Sequence, residues 1–295
     1  MIDIRQSMPP PARQRLPPWL KKPLVNRGKH DAVDSLLENA SLHTVCCEAK
    51  CPNRSECFSR GTTTFLVMGK TCTRACRFCG VTQGTPEPLD KDEPRRVSET
   101  VAAMGITHAV VTSVTRDDLD DGGASHFAEI IRQLRERIPS ITIEVLVPDF
   151  RGSVLALDTV LAARPDVFNH NIETVARLYP AVRPQASYRQ SLEILAQAAR
   201  SEVKLRIKSG LMVGFGETQQ EILETLRDLR TSGCSLVTIG QYLQPSKEQT
   251  PVVEFVNPDR FAAYREQAVA LGFSEVQAGP FVRSSYLAES MLTGR

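Results

Sequence analysis

The sequence predicts an α/β fold of repeated strand–helix pairs, and three observations predict it. Short runs rich in β-branched and apolar residues alternate with longer helix-like runs. Within the helix-like runs apolar residues recur on one face, as at Phe127, Ile130, Ile131 and Leu134. The 295 residues exceed one minimal domain and suit a large α/β domain with appendages, which buries a core without disulfide staples.

In chain order, a short helix is expected at 31–40 and a strand at 62–69, where Thr62, Thr63, Thr64, Phe65, Leu66 and Val67 cluster. Strands follow at 106–114, 141–147, 166–170, 203–213 and 236–243. Helices are expected at 98–104, 125–138, 153–163, 188–200, 219–231 and 258–271. Alternation of this kind argues for parallel strands joined by right-handed crossovers. Six strands with helices outside fit either a partial barrel or an open doubly wound sheet, and the pattern alone does not choose.

Composition removes several function classes. Hydrophobic residues make up 41% and charged residues 24%, as in ordinary globular chains. A net charge of +2 sets up no strong field for nucleic acid. No run of about 18 apolar residues offers a membrane span. The start, Met1-Ile2-Asp3-Ile4-Arg5, leads into no apolar signal segment, so a cytoplasmic location is expected. Up to Gly28 the chain is rich in proline and basic residues (Pro9, Pro10, Pro11, Arg13, Arg15, Pro17, Pro18, Lys21, Lys22, Pro23), which favours extended chain. That stretch is either a solvated leader or an arm that wraps the core or meets an acidic partner, and Trp19 suggests one anchored point.

The chain has eight cysteines, and in a cytosolic chain clustered cysteines point to metal ligation or catalysis rather than disulfides. Cys72, Cys76 and Cys79 form a C-x3-C-x2-C triplet just after the first strand. Three thiolates in eight residues can wrap one [4Fe–4S] cube, whose four irons are normally each held by a cysteine. One iron is then left open, free to chelate an amino and a carboxylate group. A zinc knuckle is the alternative, but zinc prefers four ligands, commonly as C-x2-C pairs. Upstream, Cys46, Cys51 and Cys57 make a C-x4-C-x5-C triplet that matches no standard zinc or ferredoxin spacing and implies a second cluster, again one ligand short. Cys47 stands beside Cys46 as a bystander, and Cys234, between a helix and a strand, is expected in the core.

The downstream triplet, with Phe78 just before its last cysteine, resembles the radical S-adenosylmethionine superfamily. That resemblance implies a partial (β/α)6 TIM-like barrel, with an N-terminal cluster-binding extension and a C-terminal extension. It also implies S-adenosylmethionine on the open iron and cleavage to a 5′-deoxyadenosyl radical. The upstream triplet and a late Arg283-Ser284-Ser285-Tyr286 are similar to the lipoyl synthase family in particular. So are Leu16-Pro17-Pro18-Trp19-Leu20, Glu48-Ala49-Lys50-Cys51-Pro52-Asn53, the run from Ser113 to Gly123, Phe168-Asn169-His170-Asn171-Ile172-Glu173-Thr174 and Met212-Val213-Gly214-Phe215-Gly216-Glu217. Leu287 departs from the histidine frequent in that family.

The family resemblance implies a sulfurtransferase with two [4Fe–4S] clusters. Cys72, Cys76 and Cys79 would hold the radical cluster; Cys46, Cys51, Cys57 and Ser285 would hold an auxiliary cluster that is consumed as sulfur donor. Two sulfurs would enter at carbons 6 and 8 of an octanoyl chain on a lysine. The implied partners are octanoylated lipoyl domains of 2-oxoacid dehydrogenases or the glycine-cleavage carrier protein, with a cluster carrier and an electron donor; no nucleic acid or membrane is implied. The organisation expected is 1–60 for the arm and auxiliary segment, 61–245 for the barrel and 246–295 for the C-terminal extension. A sulfur-inserting enzyme acting on RNA would carry a basic module, and none is visible after Leu243.

Cofactor contacts are expected from Phe78, from Asn171 and Glu173 at a strand end, and from Arg206 and Lys208 on the next strand, where a cation would meet the cofactor carboxylate. The alternative for Arg206 and Lys208 is solvation or structural ion pairing. Gly214 and Gly216 permit close approach of a ligand. Asp117, Asp118, Asp120 and Asp121 fit turn and capping roles for the most part, and His170 fits a packed lumen residue.

Overall fold

The computed structural model describes residues 15–22 and 28–293; most of the proline-rich leader, with Pro9, Pro10, Pro11, Arg13 and Pro23, lies outside the described residues. Ten strands are present among the described residues: β1 (His43–Thr44), β2 (Thr64–Val67), β3 (Thr71–Cys72), β4 (Thr82–Gln83), β5 (His108–Ser113), β6 (Thr142–Leu146), β7 (Val167–Asn169), β8 (Arg206–Val213), β9 (Leu236–Gln241) and β10 (Glu275–Gly279). The α-helices are α1 (Gly28–Asn39), α2 (Val45–Glu48), α3 (Arg54–Ser59), α4 (Glu93–Ala103), α5 (Ala124–Arg137), α6 (Val154–Ala162), α7 (Tyr179–Val182), α8 (Tyr188–Ala199), α9 (Gln219–Thr231), α10 (Pro258–Ala270) and α11 (Ser290–Thr293).

The main sheet runs β1-β2-β5-β6-β7-β8-β9-β10, parallel throughout except for β1 against β2. This order decides between the two architectures. A doubly wound sheet reverses strand order at a switch point and so receives helices on both faces. Here β2 to β10 advance in one direction, so crossovers of common hand lie on one face and twist curls the sheet around the other. The edges β1 and β10 do not pair with each other, which leaves a partial barrel.

Packing follows the residue pattern. The stripe Phe127, Ile130, Ile131 and Leu134 of α5 is fully buried. All four residues of β2 are buried, as expected of a parallel strand covered on both faces. α9 begins in a capping box between Thr218 and Glu221. α4 starts at Glu93 rather than at 98, because Pro94 sits in the first turn, where its missing N–H is no loss. β8 begins at Arg206 rather than at 203. The strand β10 was not expected from the sequence: Glu275-Val276-Gln277-Ala278-Gly279 is poor in β-branched residues and only Val276 is buried. Among the described residues no helix is long and apolar enough to cross a membrane.

The leader is anchored beside Trp19 rather than by it. Trp19 is 37% exposed, whereas Leu20 is buried. Lys22 Nζ reaches Glu56 Oε2 at 2.7 Å and lies 4.5 Å from the centre of the Phe281 ring.

Candidate functional site

The C-terminal ends of the barrel strands surround a cavity of about 500 Å³. Function gathers at this end of β/α barrels because the loops after the strands converge there. Cys72, Cys76, Phe78 and Cys79 line it from the loop after β2. Cys46 and Cys51 line it from the N-terminal segment, and Arg283, Ser284 and Ser285 from the C-terminal one. Far apart along the chain, these three segments are brought to one space by the fold.

The loop with the downstream triplet is fastened to its neighbours by backbone and side-chain bonds. Thr73 N–H and Oγ1 both donate to the Thr115 carbonyl, at 3.0 and 2.9 Å. Thr115 N–H points at Cys72 Sγ, 3.3 Å away. The largest restraint is Arg74, between Cys72 and Cys76. Its guanidinium, 6% exposed, forks onto Asp117 at 2.6 and 2.8 Å and onto Asp149 at 2.9 and 2.7 Å. It thereby ties the cysteine loop to the loops after β5 and β6. Asp121 takes a capping role, accepting from Gly123 and Ser125 N–H, but Asp117 is a clamp. Phe78 packs beside Val182, Phe215 and Tyr242 while facing the cavity.

The upstream triplet is presented by short helices. Thr44 Oγ1 accepts from Cys47 N–H and starts α2, which carries Cys46 inward. Cys47, one residue on, lines a separate groove. Lys50 takes a left-handed conformation (φ 52°) that turns the chain at Cys51. Cys57 sits in α3; it does not line the cavity, yet its charge bears on Cys46, as does that of Cys51. Burial pushes the Cys46 and Cys79 thiols up to about 12 and Cys57 to about 11, and raises Cys76, with neighbouring cysteines adding to the effect. All eight cysteines are free, and Cys234 lies in the core.

This donor set fits iron–sulfur clusters. Two sets of three free thiols in partly apolar surroundings offer soft ligands that lose their protons when metal binds. Among the described residues no three His, Cys, Asp or Glu side chains are grouped closely enough to hold a single metal ion.

Each residue of the late tetrapeptide meets a different element. Arg283 faces the cavity, where the charges of Cys51 and Glu173 act on it. Ser284 Oγ accepts from Asn169 Nδ2 and donates to Asn171 Oδ1, both at 2.8 Å. Ser285 Oγ accepts from Thr64 Oγ1 at 2.7 Å. Tyr286 donates its hydroxyl to Glu56 Oε1 at 2.8 Å. Asn53 Nδ2 donates to the Phe281 carbonyl at 2.7 Å, and Gly240 gives the Val282 carbonyl room that a Cβ would occupy.

On the far wall, Asn171 Nδ2 donates to Glu173 Oε1 at 3.1 Å. Glu173 has a left-handed backbone (φ 67°), and burial raises its carboxyl above the ordinary range. His170 is a packed imidazole between the Val147 carbonyl and Ser191 Oγ, and burial lowers it to about 4. Glu217 turns back on its own loop, accepting from Gly214 and Phe215 N–H.

Arg206 and Lys208 do not line the cavity. They share a face of β8 with Gly210 and Met212, which do line it, but they sit one and two steps further down the strand. Lys208 is fully buried and bonds Glu144 at 2.9 and 3.1 Å; Arg206 is exposed at the strand start and reaches the Met291 and Leu292 carbonyls. The ion-pair alternative therefore holds for Lys208. Beside Glu173 and Asn171 a different cation, Arg183, lines the cavity, and it was not expected from the sequence. It is 9% exposed, bonds the Tyr179 hydroxyl at 2.7 Å and the Asn171 carbonyl at 3.1 Å, and keeps a buried Nε without a partner. No local motif surrounds Arg183 in the sequence; its partners assemble only in the fold.

Residues 66–229 match the Radical SAM superfamily. The chain is 51% identical over 273 residues to the lipoyl synthase of Caldicellulosiruptor saccharolyticus, covering 92% of this chain and 96% of that protein. It is 54% identical over 274 residues to the lipoyl synthase of Caldicellulosiruptor bescii, covering 93% and 94%. In fold it is similar to the crystal structure of methylornithine synthase, with a TM-score of 0.52 at 14% identity over 87% of this chain and 84% of that one.

Proposed function

This chain belongs to the lipoyl synthase family of the radical SAM superfamily, and on that premise we propose that it inserts sulfur at carbons 6 and 8 of an octanoyl chain carried on a lysine of a lipoyl domain. Membership makes it a radical enzyme that transfers sulfur and uses S-adenosylmethionine with a [4Fe–4S] cluster. Within this reading the second cluster is a substrate as much as a cofactor, consumed as the sulfur source. The carrier is an octanoylated domain of a 2-oxoacid dehydrogenase or of the glycine-cleavage system, and a cluster carrier and an electron donor restore the enzyme.

The observation that carries the proposal is the convergence of Cys72, Cys76 and Cys79, of Cys46 and Cys51 from the upstream triplet, and of Ser285 around one cavity, with Cys57 close enough behind that its charge bears on Cys46. Cys72, Cys76 and Cys79 would hold the radical cluster, and Cys46, Cys51, Cys57 and Ser285 the second. When bound, the first cluster with S-adenosylmethionine supplies a 5′-deoxyadenosyl radical. The chain's own residues orient and shield. Asn171 and Glu173 offer acceptors for amino or ribose hydroxyl groups, and Arg183 offers its unpartnered Nε–H to a carboxylate. Arg283, on which the charges of Cys51 and Glu173 act, would supply positive charge to anionic groups in the cavity. Ser285 is suited to a bond that must later break, since a hard oxygen suits iron in a sulfide cage less well than a thiolate.

The reading is tested by incubating the reduced, cluster-loaded protein with S-adenosylmethionine and an octanoyl-lysine carrier domain. A carrier mass gain corresponding to two sulfurs is expected. Formation of deoxyadenosine with no sulfur in the carrier would sink it.

A further inference from the structure

We propose that Ser284 is a positioning residue that couples the state of the cofactor wall to the hold of Ser285 on the second cluster. The proposal deepens the function given above and rests on Ser285 being a ligand there. Its basis is an unbroken chain of hydrogen bonds between groups from different elements. Lys208 Nζ fixes Glu144 at 2.9 Å, and Asn169 Nδ2 donates to Glu144 Oε1 at 2.9 Å and to Ser284 Oγ at 2.8 Å. Ser284 Oγ then donates to Asn171 Oδ1 at 2.8 Å, and Asn171 Nδ2 donates to Glu173 Oε1 at 3.1 Å. Asn169 and Lys208 are fully buried, so one end of the chain is rigid. The other end, Asn171 and Glu173, lines the cavity and is free to respond to what fills it.

The two serines are unlike in what they can still do. Ser284 uses its proton on Asn171 and a lone pair on Asn169, so its hydroxyl is committed in both directions. Ser285 receives one bond, from Thr64, and among the described residues it donates its own proton to none. Ser284 therefore holds while Ser285 remains available to a ligand. One planar peptide links them, and their α-carbons stand about 3.8 Å apart, so a shift in the Ser284 bond is passed on to Ser285. When a bound cofactor takes the acceptors of Asn171 and Glu173, the Asn171 amide must share or re-aim, and the Ser284–Asn171 bond is the next link. Coupling of this kind is reciprocal: occupancy of the cofactor wall changes the grip of Ser285, and the reverse.

The test uses fully loaded holoenzyme without reductant, so that no turnover occurs. Iron counting comes first; the rate at which a chelator removes iron from the second cluster is then measured with and without S-adenosylmethionine. In the wild type the cofactor is expected to change that rate by about fivefold or more, the lower range of measured site coupling. In Ser284→Ala the ratio falls to about one, while the spectrum of the first cluster still responds to S-adenosylmethionine; Ser284→Thr, which keeps the hydroxyl, restores the ratio. A Ser284→Ala protein with the wild-type ratio overturns the proposal, as does a wild type with two clusters and no response to the cofactor. If Ser284→Ala cannot be loaded, Asn169→Leu removes the donor that orients Ser284 without touching the cavity wall, and an unchanged ratio there is equally fatal. A wild type holding only about four irons would remove the second cluster, and the proposal with it; the iron count reveals that failure before any chelator is added.

Discussion

Replacing Arg74 with alanine is expected to loosen the loop that carries Cys72, Cys76 and Cys79. Arg74 makes four bonds of 2.6 to 2.9 Å to Asp117 and Asp149. Its loss leaves Asp149, 1% exposed, as an uncompensated buried carboxylate. Removing one partner of such a pair costs about 3–5 kcal/mol. That is a large share of the roughly 5–15 kcal/mol that holds a domain folded, and lowers the melting temperature on the order of 10 °C. Asp117, with a side chain 28% exposed, can be rehydrated, so Asp117→Asn is expected to cost less, about 1.5 kcal/mol. Anaerobic denaturant titration measures both.

The pH dependence gives an independent check. The Arg74 guanidinium holds the Asp149 carboxyl at about 2 against an ordinary 3.8, despite burial, a difference of about 2 kcal/mol. Because the folded value is depressed, this stability is complete above about pH 4 and is lost as pH falls through about 2. In Arg74→Ala the Arg151 N–H still donates to Asp149, but the largest opposition to burial is gone, so the depression of the carboxyl is lost and the stabilising contribution with it. A variant within about 1 kcal/mol of wild type, with the same acid profile, would refute the clamp.

Three further outcomes are expected. Lys208→Ala strands Glu144 and costs about 3–5 kcal/mol, whereas Arg206→Ala at the exposed strand end stays within about 0.5 kcal/mol and leaves S-adenosylmethionine affinity unchanged, as read by calorimetric titration. Gly240→Ala drives a Cβ into the Val282 carbonyl; overpacking of about 1–3 kcal/mol and faster iron loss from the second cluster should follow, measured by denaturation and chelation. Ser285→Cys is expected to load both clusters and form deoxyadenosine but to lose at least about tenfold in sulfur insertion, the equivalent of roughly 1.4 kcal/mol; full insertion would show that the oxygen has no special role.

The cysteine triplets were legible because cluster ligands supplied by one short segment leave their spacing in the sequence. The roles within Arg283-Ser284-Ser285-Tyr286 were not, because the partners lie far away: Asn169 is 115 residues from Ser284, Thr64 is 221 from Ser285 and Glu56 is 230 from Tyr286. Alternation along β8 put Arg206 and Lys208 on the cavity-lining face, but a period of two says nothing about depth, and depth separates a cofactor contact from a buried ion pair. The choice between barrel and doubly wound sheet depends on strand order, which local pattern does not encode. β10 was missed because its residues carry little strand preference and owe their conformation to pairing with β9.

The proposed chemistry requires two clusters, one on each cysteine triplet. Anaerobic iron and sulfide analysis of the wild type and of the Cys72/Cys76/Cys79→Ala variant tests it most directly. Two clusters predict about eight irons and eight sulfides per chain, falling to about four of each in the variant. Zinc, or only four irons in a fully reconstituted wild type, would contradict it.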